Sequence, residues 1–199
     1  MSVIYANGGT FPAYTYPDFT RSDALRLIRL QATANLAHDD LKCEIFECPF
    51  KSDQQYEALS WTWGNERPSE PLFVNSNDDS PLSVCLLPPH LAAALKALRD
   101  QNLPRYLWVD AICINQANIK ERNDQVPMMD QIYGNATNVC IWLGPDDEKS
   151  QRALEFIRRI VGQLWAFDGI CSDRELADDW EALMSLMRRP WFSSKRLPF

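Results

Sequence analysis

Apolar and polar residues alternate along the first part of the chain and then recur at helical spacing. Residues 25–30, LRLIRL, predict a short strand or a single helical turn. Residues 41–48, LKCEIFEC, alternate more cleanly. Leu41, Cys43, Ile45 and Glu47 fall on one face and Lys42, Glu44, Phe46 and Cys48 on the other, which predicts a half-buried strand. YEALSWTW at 56–63 predicts a third strand, ended by Gly64-Asn65. The stretch 65–81 is rich in Pro, Asn and Asp and reads as a loop, carrying at most short strands at 71–75 and 82–85. Residues 1–23 read as a loose lead-in rich in Pro, Gly and Tyr, so the domain is expected over 24–199.

Beyond residue 88 the period changes. Pro88-Pro89 opens a predicted helix over about 89–100, since proline is tolerated where first-turn amides lack partners. Its stripe is Leu91, Ala94, Leu95 and Leu98. YLWVDAI at 106–112 predicts a strand buried on both faces. Val126, Met129, Ile132, Tyr133 and Ala136 follow the i, i+3, i+4 spacing of a helix. Pro127 sits either in its first turn, with a start near Asn123 or Asp124, or at a kink. NVCIWL at 138–143 predicts another strand, closed by Gly144-Pro145. Asp146 and Asp147 suit the start of a helix running to about 167 on Leu154, Ile157, Val161 and Leu164. Ser172 to Glu175 has the form of a capping box. A last helix to about Arg188 is expected to turn Leu176, Trp180, Leu183, Met184 and Met187 inward, with Pro190 as its stop. Helices alternating with apolar strands imply parallel pairing and right-handed crossovers. The expected fold is therefore α/β: a three-layer, mostly parallel sheet flanked by helices, with extra strands from the N-terminal 60 residues.

Composition narrows the function classes. The 199 residues carry a net charge of −7, and the 20 basic residues are scattered, which argues against nucleic acid and against an anionic membrane surface. No apolar run approaches the 18 residues of a membrane span. The N-terminus lacks the basic and apolar regions of a signal peptide, so a cytoplasmic setting with reduced thiols is expected for the six cysteines. These form no C-x-x-C pair, and His38 and His90 do not stand at ligand spacing from them, so neither a metal nor a cofactor is expected. Neither usual phosphate-cradling glycine loop occurs.

The chemistry gathers at LWVDAICINQ (107–116) and ERNDQ (121–125). Asp110 either contacts a ligand, such as a ribose hydroxyl, or accepts orphan amides of its own turn, and the structural reading is favoured. Asn115 and Gln116 either read a ligand's polar edge or pin the loop to 121. Cys113 reads as a small buried hydrophobe; as a nucleophile it would need His90 and Asp110 as partners, and no spacing supports that set. Glu121, Arg122 and Gln125 form a polar network that burial would make costly unless fully paired. Ser60, Trp61, Trp63 and Gly64 end the 56–63 strand. There the indoles read as core before they read as a stacking platform, the hydroxyl of Ser60 is a candidate donor, and Gly64 suits a positive φ.

Three blocks resemble the fungal heterokaryon-incompatibility (HET) domain: YEALSWTWG at 56–64, LWVDAICINQ…ERNDQVPMMDQIYGNA at 107–136, and VCIWLG at 139–144. With RRPWF at 188–192 the similarity covers roughly residues 25–192. Trp61, where the family often has Tyr, and Pro127 depart from its pattern. The resemblance implies a role in fungal non-self recognition, with the domain triggering cell death after incompatible cells fuse. It also implies a distant similarity to Toll/interleukin-receptor (TIR) domains, whose flavodoxin-like sheet in some members cleaves NAD at the nicotinamide bond. NAD as a substrate, and partners among other copies or other cell-death and innate-immunity proteins, rest on this resemblance alone. The family pattern continues past RPWF into another strand and a glutamate, the leading catalytic candidate by analogy. Here the text reads RRPWFSSKRLPF, so the resemblance implies a domain incomplete at its C-terminal end and an inactive fragment.

Overall fold

The computed structural model describes residues 2–35, 40–75 and 82–193. His38, the tip of the 65–81 loop and the last six residues lie outside them. The chain forms two compact units, one up to Trp142 and one from Leu143.

The first unit opens with a hairpin, β1 (Val3–Ala6) and β2 (Gly9–Pro12), where a loose lead-in was expected. Asn7 and Gly8 take φ of +48° and +77°, the two positive angles of a two-residue hairpin turn. This Asn-Gly pair was the signal that reading passed over. The hairpin packs Ile4, Ala6 and Phe11 on Phe73 and Val84.

The main sheet has seven strands: β3 (Ala24–Leu30), β4 (Leu41–Pro49), β5 (Glu57–Ser60), β6 (Glu70–Asn75), β7 (Ser83–Leu87), β8 (Arg105–Trp108) and β9 (Asn138–Ile141), in the order β7-β6-β4-β3-β8-β5-β9. The expected α/β sheet is present, with mixed pairing. β4–β6, β8–β5 and β5–β9 run parallel, while β7–β6, β4–β3 and β3–β8 run antiparallel. LRLIRL is a strand, because a central position buries both of its faces; only Arg29 reaches solvent, paired with Glu44. Helix α1 (Pro89–Leu98) starts on its proline and buries Leu91, Ala92, Ala94 and Leu95.

The strand predicted over 106–112 stops at Trp108. Asp110–Cys113 instead forms a single helical turn, α2. A buried apolar run reads alike as strand or as helix, and here the backbone turns as soon as Val109 has entered the core. Next come α3 (Ile119–Gln125), a 3₁₀ turn at Val126–Met128 that absorbs Pro127, and α4 (Met129–Asn135). Of the two readings of that proline, the kink is the one adopted.

The parallel block β8-β5-β9 carries the second, first and third of its strands in chain order. That is the order of a doubly wound sheet at the point where its connections reverse, and ligands in such sheets sit outside the carboxyl ends of the strands.

In the second unit, α5 (Glu148–Gly162) begins at Asp147 with a reciprocal capping box to Ser150. It ends at Gly162; a 3₁₀ turn and a short α6 (Phe167–Ser172) replace its predicted last turn. Ser150, Ala153 and Phe156 are the buried positions of α5 and the predicted Ile157 packs beside Ala153, whereas the predicted Leu154, Val161 and Leu164 are exposed. Ser172 does not cap a helix; its hydroxyl donates back to Asp168 O, and Asp173 accepts the amide of Glu175 instead. Helix α7 (Ala177–Met187) buries Ala182 and Leu186, while Met184 and Met187 are exposed rather than inward. Pro190 opens a short α8 (Pro190–Ser193).

Candidate functional site

β5 delivers Ser60 to the carboxyl end of the parallel block, and the chain continues as Trp61, Thr62, Trp63 and Gly64. β8 and Val109 deliver Asp110 beside it. The Trp61 indole N–H donates to Asp110 Oδ1 at 2.7 Å and the Trp63 indole N–H to Oδ2 at 2.7 Å. The amide of Ala111 also donates to Oδ1, at 2.7 Å. The two indoles stack, with centroids 5.4 Å apart. Asp110 thus stands at the start of α2 as an acceptor clamped by two aromatic donors.

His90, at the start of α1, closes the other side of this loop. Its ring lies 4.9 Å from that of Trp61; Nδ1 meets Glu66 at 2.8 Å and Nε2 meets the carbonyl of Thr62. Gly64 has φ +58°, and a Cβ there would come within 3.2 Å of the His90 ring. The expected positive φ is present, with a close approach that a side chain could meet only if the His90 ring gave way slightly.

Ser60 is held through its backbone, its carbonyl accepting the amide of Trp142 at 2.8 Å. Gln116 Nε2 donates to Asp110 O at 2.9 Å, and the Asn115 side chain accepts the amide of Ala117 at 3.1 Å. Cys113 is fully buried beside Val109 N and Leu107 O, and burial pushes its thiol up to about 12. His90 makes its contacts elsewhere, so the thiol, imidazole and carboxylate do not assemble.

Glu121 answers a residue that sequence reasoning missed. Arg26, on β3, donates Nη1 to Glu121 Oε1 at 2.5 Å and Nη2 to Oε2 at 3.3 Å, with both side chains buried. Glu121 also accepts the amide of Asn115 at 2.7 Å. Gln125 is buried and donates to Ala24 O at 3.1 Å. Arg122 is half-buried on the same helix. Of the run ERNDQ, Glu121 and Gln125 therefore face β3, while Asn123 and Asp124 are exposed. An arginine inside an apolar strand was the available signal, because burial obliges it to find a carboxylate. Nearby, Tyr56 Oη donates to Ile132 O at 2.6 Å and Tyr133 Oη to Leu59 O at 3.2 Å, tying α4 to β5.

Among the described residues, no group of three or more His, Cys, Asp or Glu side chains gathers as a metal site, and no helix is long and apolar enough to cross a membrane. A cavity of about 280 Å³ lies in the second unit between α5 and α7. Of its lining charges Lys149 pairs with Glu181 and Arg152 with Asp178, Glu148 lines it as well, and no predicted site residue does.

Fold and site together define an α/β domain whose strand ends are locked by a Trp–Asp–Trp clamp and a buried Arg–Glu pair. Residues 56–195 match the family described as Heterokaryon incompatibility protein (HET), and the chain belongs to that family. It is 34% identical over 159 residues to "Heterokaryon incompatibility protein 6, OR allele" of Neurospora crassa. That alignment covers 75% of this chain and 23% of the relative, so the chain spans about a quarter of the relative's length. No solved structure matches the chain.

Proposed function

We propose that the chain is an incompatibility module of fungal non-self recognition that triggers cell death by contacts with other copies or other cell-death proteins, without cleaving NAD. The family and the Neurospora relative support the first half of this reading. The order of the parallel block supports a distant TIR-like relation. One observation carries the second half: Asp110 and Glu121, the two carboxylates of the motif that do not lie on the exposed helix surface as Asp124 and Asp130 do, are already occupied. Asp110 is clamped by two indoles and an amide, and Glu121 by Arg26 and an amide. Cleaving a glycosidic bond develops oxocarbenium-like charge that needs a carboxylate aimed at the substrate.

The test pairs two readouts. Purified protein incubated with NAD should release no nicotinamide above buffer, while expression in fungal cells should still arrest growth. Light scattering should show mass rising with concentration or on adding a cell-death partner. Nicotinamide released above buffer by the purified natural sequence would overturn the reading.

A further inference from the structure

Residues 13–20 lie before the segment that matches the family, yet they reach into the site. Ala13 bridges to Val84, and Tyr14 N donates to Val84 O at 2.8 Å. At the other end, the amide and hydroxyl of Thr20 donate to the Glu47 carboxylate at 3.0 and 2.9 Å. Between these anchors the segment covers Arg26. Pro17 O accepts Arg26 Nη2 at 2.6 Å, and the guanidinium carbon lies 4.0 Å from the Phe19 ring centroid and 5.2 Å from that of Tyr16.

The last carbonyls of a helix have no partner within it and must find one outside. In the one-turn α2 these include Ile112 O and Cys113 O. Tyr16 Oη donates to Ile112 O at 2.9 Å, and Arg26 Nη1 lies 3.4 Å from Cys113 O. One carbonyl is thus held by the segment itself and the next by the arginine it covers. The same turn starts with Asp110, which holds both indoles.

We propose that residues 13–20 form a latch whose seating on Arg26 sets the α2 turn and, through Asp110, the Trp61–Trp63 pair. Tyr16 and Phe19 are positioning residues, acting through Ile112 O and Arg26. A release of the segment, by a partner that competes for it or by modification, loosens the tryptophan loop without touching it.

The experiment is hydrogen exchange of the tryptophan indole protons by NMR in the whole chain, with signals assigned through Trp61→Phe and Trp63→Phe. Tyr16→Phe deletes a single hydroxyl and should speed exchange of both indoles about three- to tenfold, the effect of one lost hydrogen bond, while the other five keep their rates. Phe19→Ala should speed them further, and Phe19→Tyr, which keeps the ring over Arg26, should restore them. Unchanged Trp61 and Trp63 rates in Tyr16→Phe would overturn the proposal, and so would a uniform acceleration of all seven indoles. Neither outcome bears on cell killing or NAD, so the latch and the incompatibility role stand or fall separately.

Discussion

At Asp110, an amide in place of the carboxylate leaves one acceptor oxygen and sets an NH₂ group against an indole N–H. Asp110→Asn should cost about 2–4 kcal/mol, since hydrogen bonds to a charged group are among the stronger ones and a buried donor is left unpaired. Urea titration measures the loss, and weakening of the near-ultraviolet tryptophan signal locates it. Gly64→Ala should cost roughly 1–2 kcal/mol by the same titration, from left-handed backbone alone; the His90 contact adds to it. Cys113, Cys43 and Cys48 are buried, and desolvation raises all three thiols. Alkylation at pH 8 followed by peptide mapping should therefore label exposed Cys171 while sparing Cys113 until the protein unfolds. Asp110, Gly64 and Cys113 were legible from the sequence because each obeys a local rule: a carboxylate by a turn, a glycine after a strand, a thiol in an apolar run. Arg26 and His90 were not, because their partners, Glu121 and the Trp61 ring, lie 95 and 29 positions away.

Among the elements, β3 is joined to α3 by the Arg26–Glu121 pair, and its energetics follow from burial. Removing one partner, as in Glu121→Gln, should cost about 3–5 kcal/mol because it strands a buried charge. Arg26→Met combined with Glu121→Leu should recover most of that loss, and a double-mutant cycle in urea resolves the two terms. On the opposite side, Glu57 of β5 bonds Arg105 of β8 at 2.8 Å. Burial pushes its carboxyl up, but Arg105, Asn138 and Cys140 outweigh this and hold it below its ordinary value. A depressed carboxyl stabilises the fold above the unfolded value of about 4.3 and loses that contribution as pH falls through the lower folded value. Stability measured from pH 6 to pH 3 should therefore fall less steeply in Glu57→Gln than in the natural sequence. Strands β4 and β5 were readable because alternation and a closing glycine mark them. The 106–112 run misled because continuous apolarity says buried without saying extended. On α5 Ile157 was read correctly, but Leu154 was taken for Ala153, the small residue at the tightest position, because a pattern built on large side chains passes over it.

For the molecule as a whole, the family was visible in three sequence blocks, and the structure explains why those blocks look as they do. YEALSWTWG is a parallel strand that delivers two indoles and a tight glycine. WVDAICINQ is a turn that receives them. Glu121 of the ERNDQ run fastens the loop after that turn to β3, and the IY pair after it ties α4 to β5. Much of what reads as a chemical signature is thus the wiring of one strand end, so the family pattern predicts architecture more directly than it predicts a reaction. The clamp on Asp110 is the joint on which this account turns, and indole hydrogen exchange in the unmodified chain and in Asp110→Ala tests it most directly. The Trp61 and Trp63 indole protons should both be protected in the former and both exposed in the latter, with the exchange of Trp180 in the second unit unchanged. Free exchange of the two in the natural sequence, or protection that survives Asp110→Ala, would contradict it.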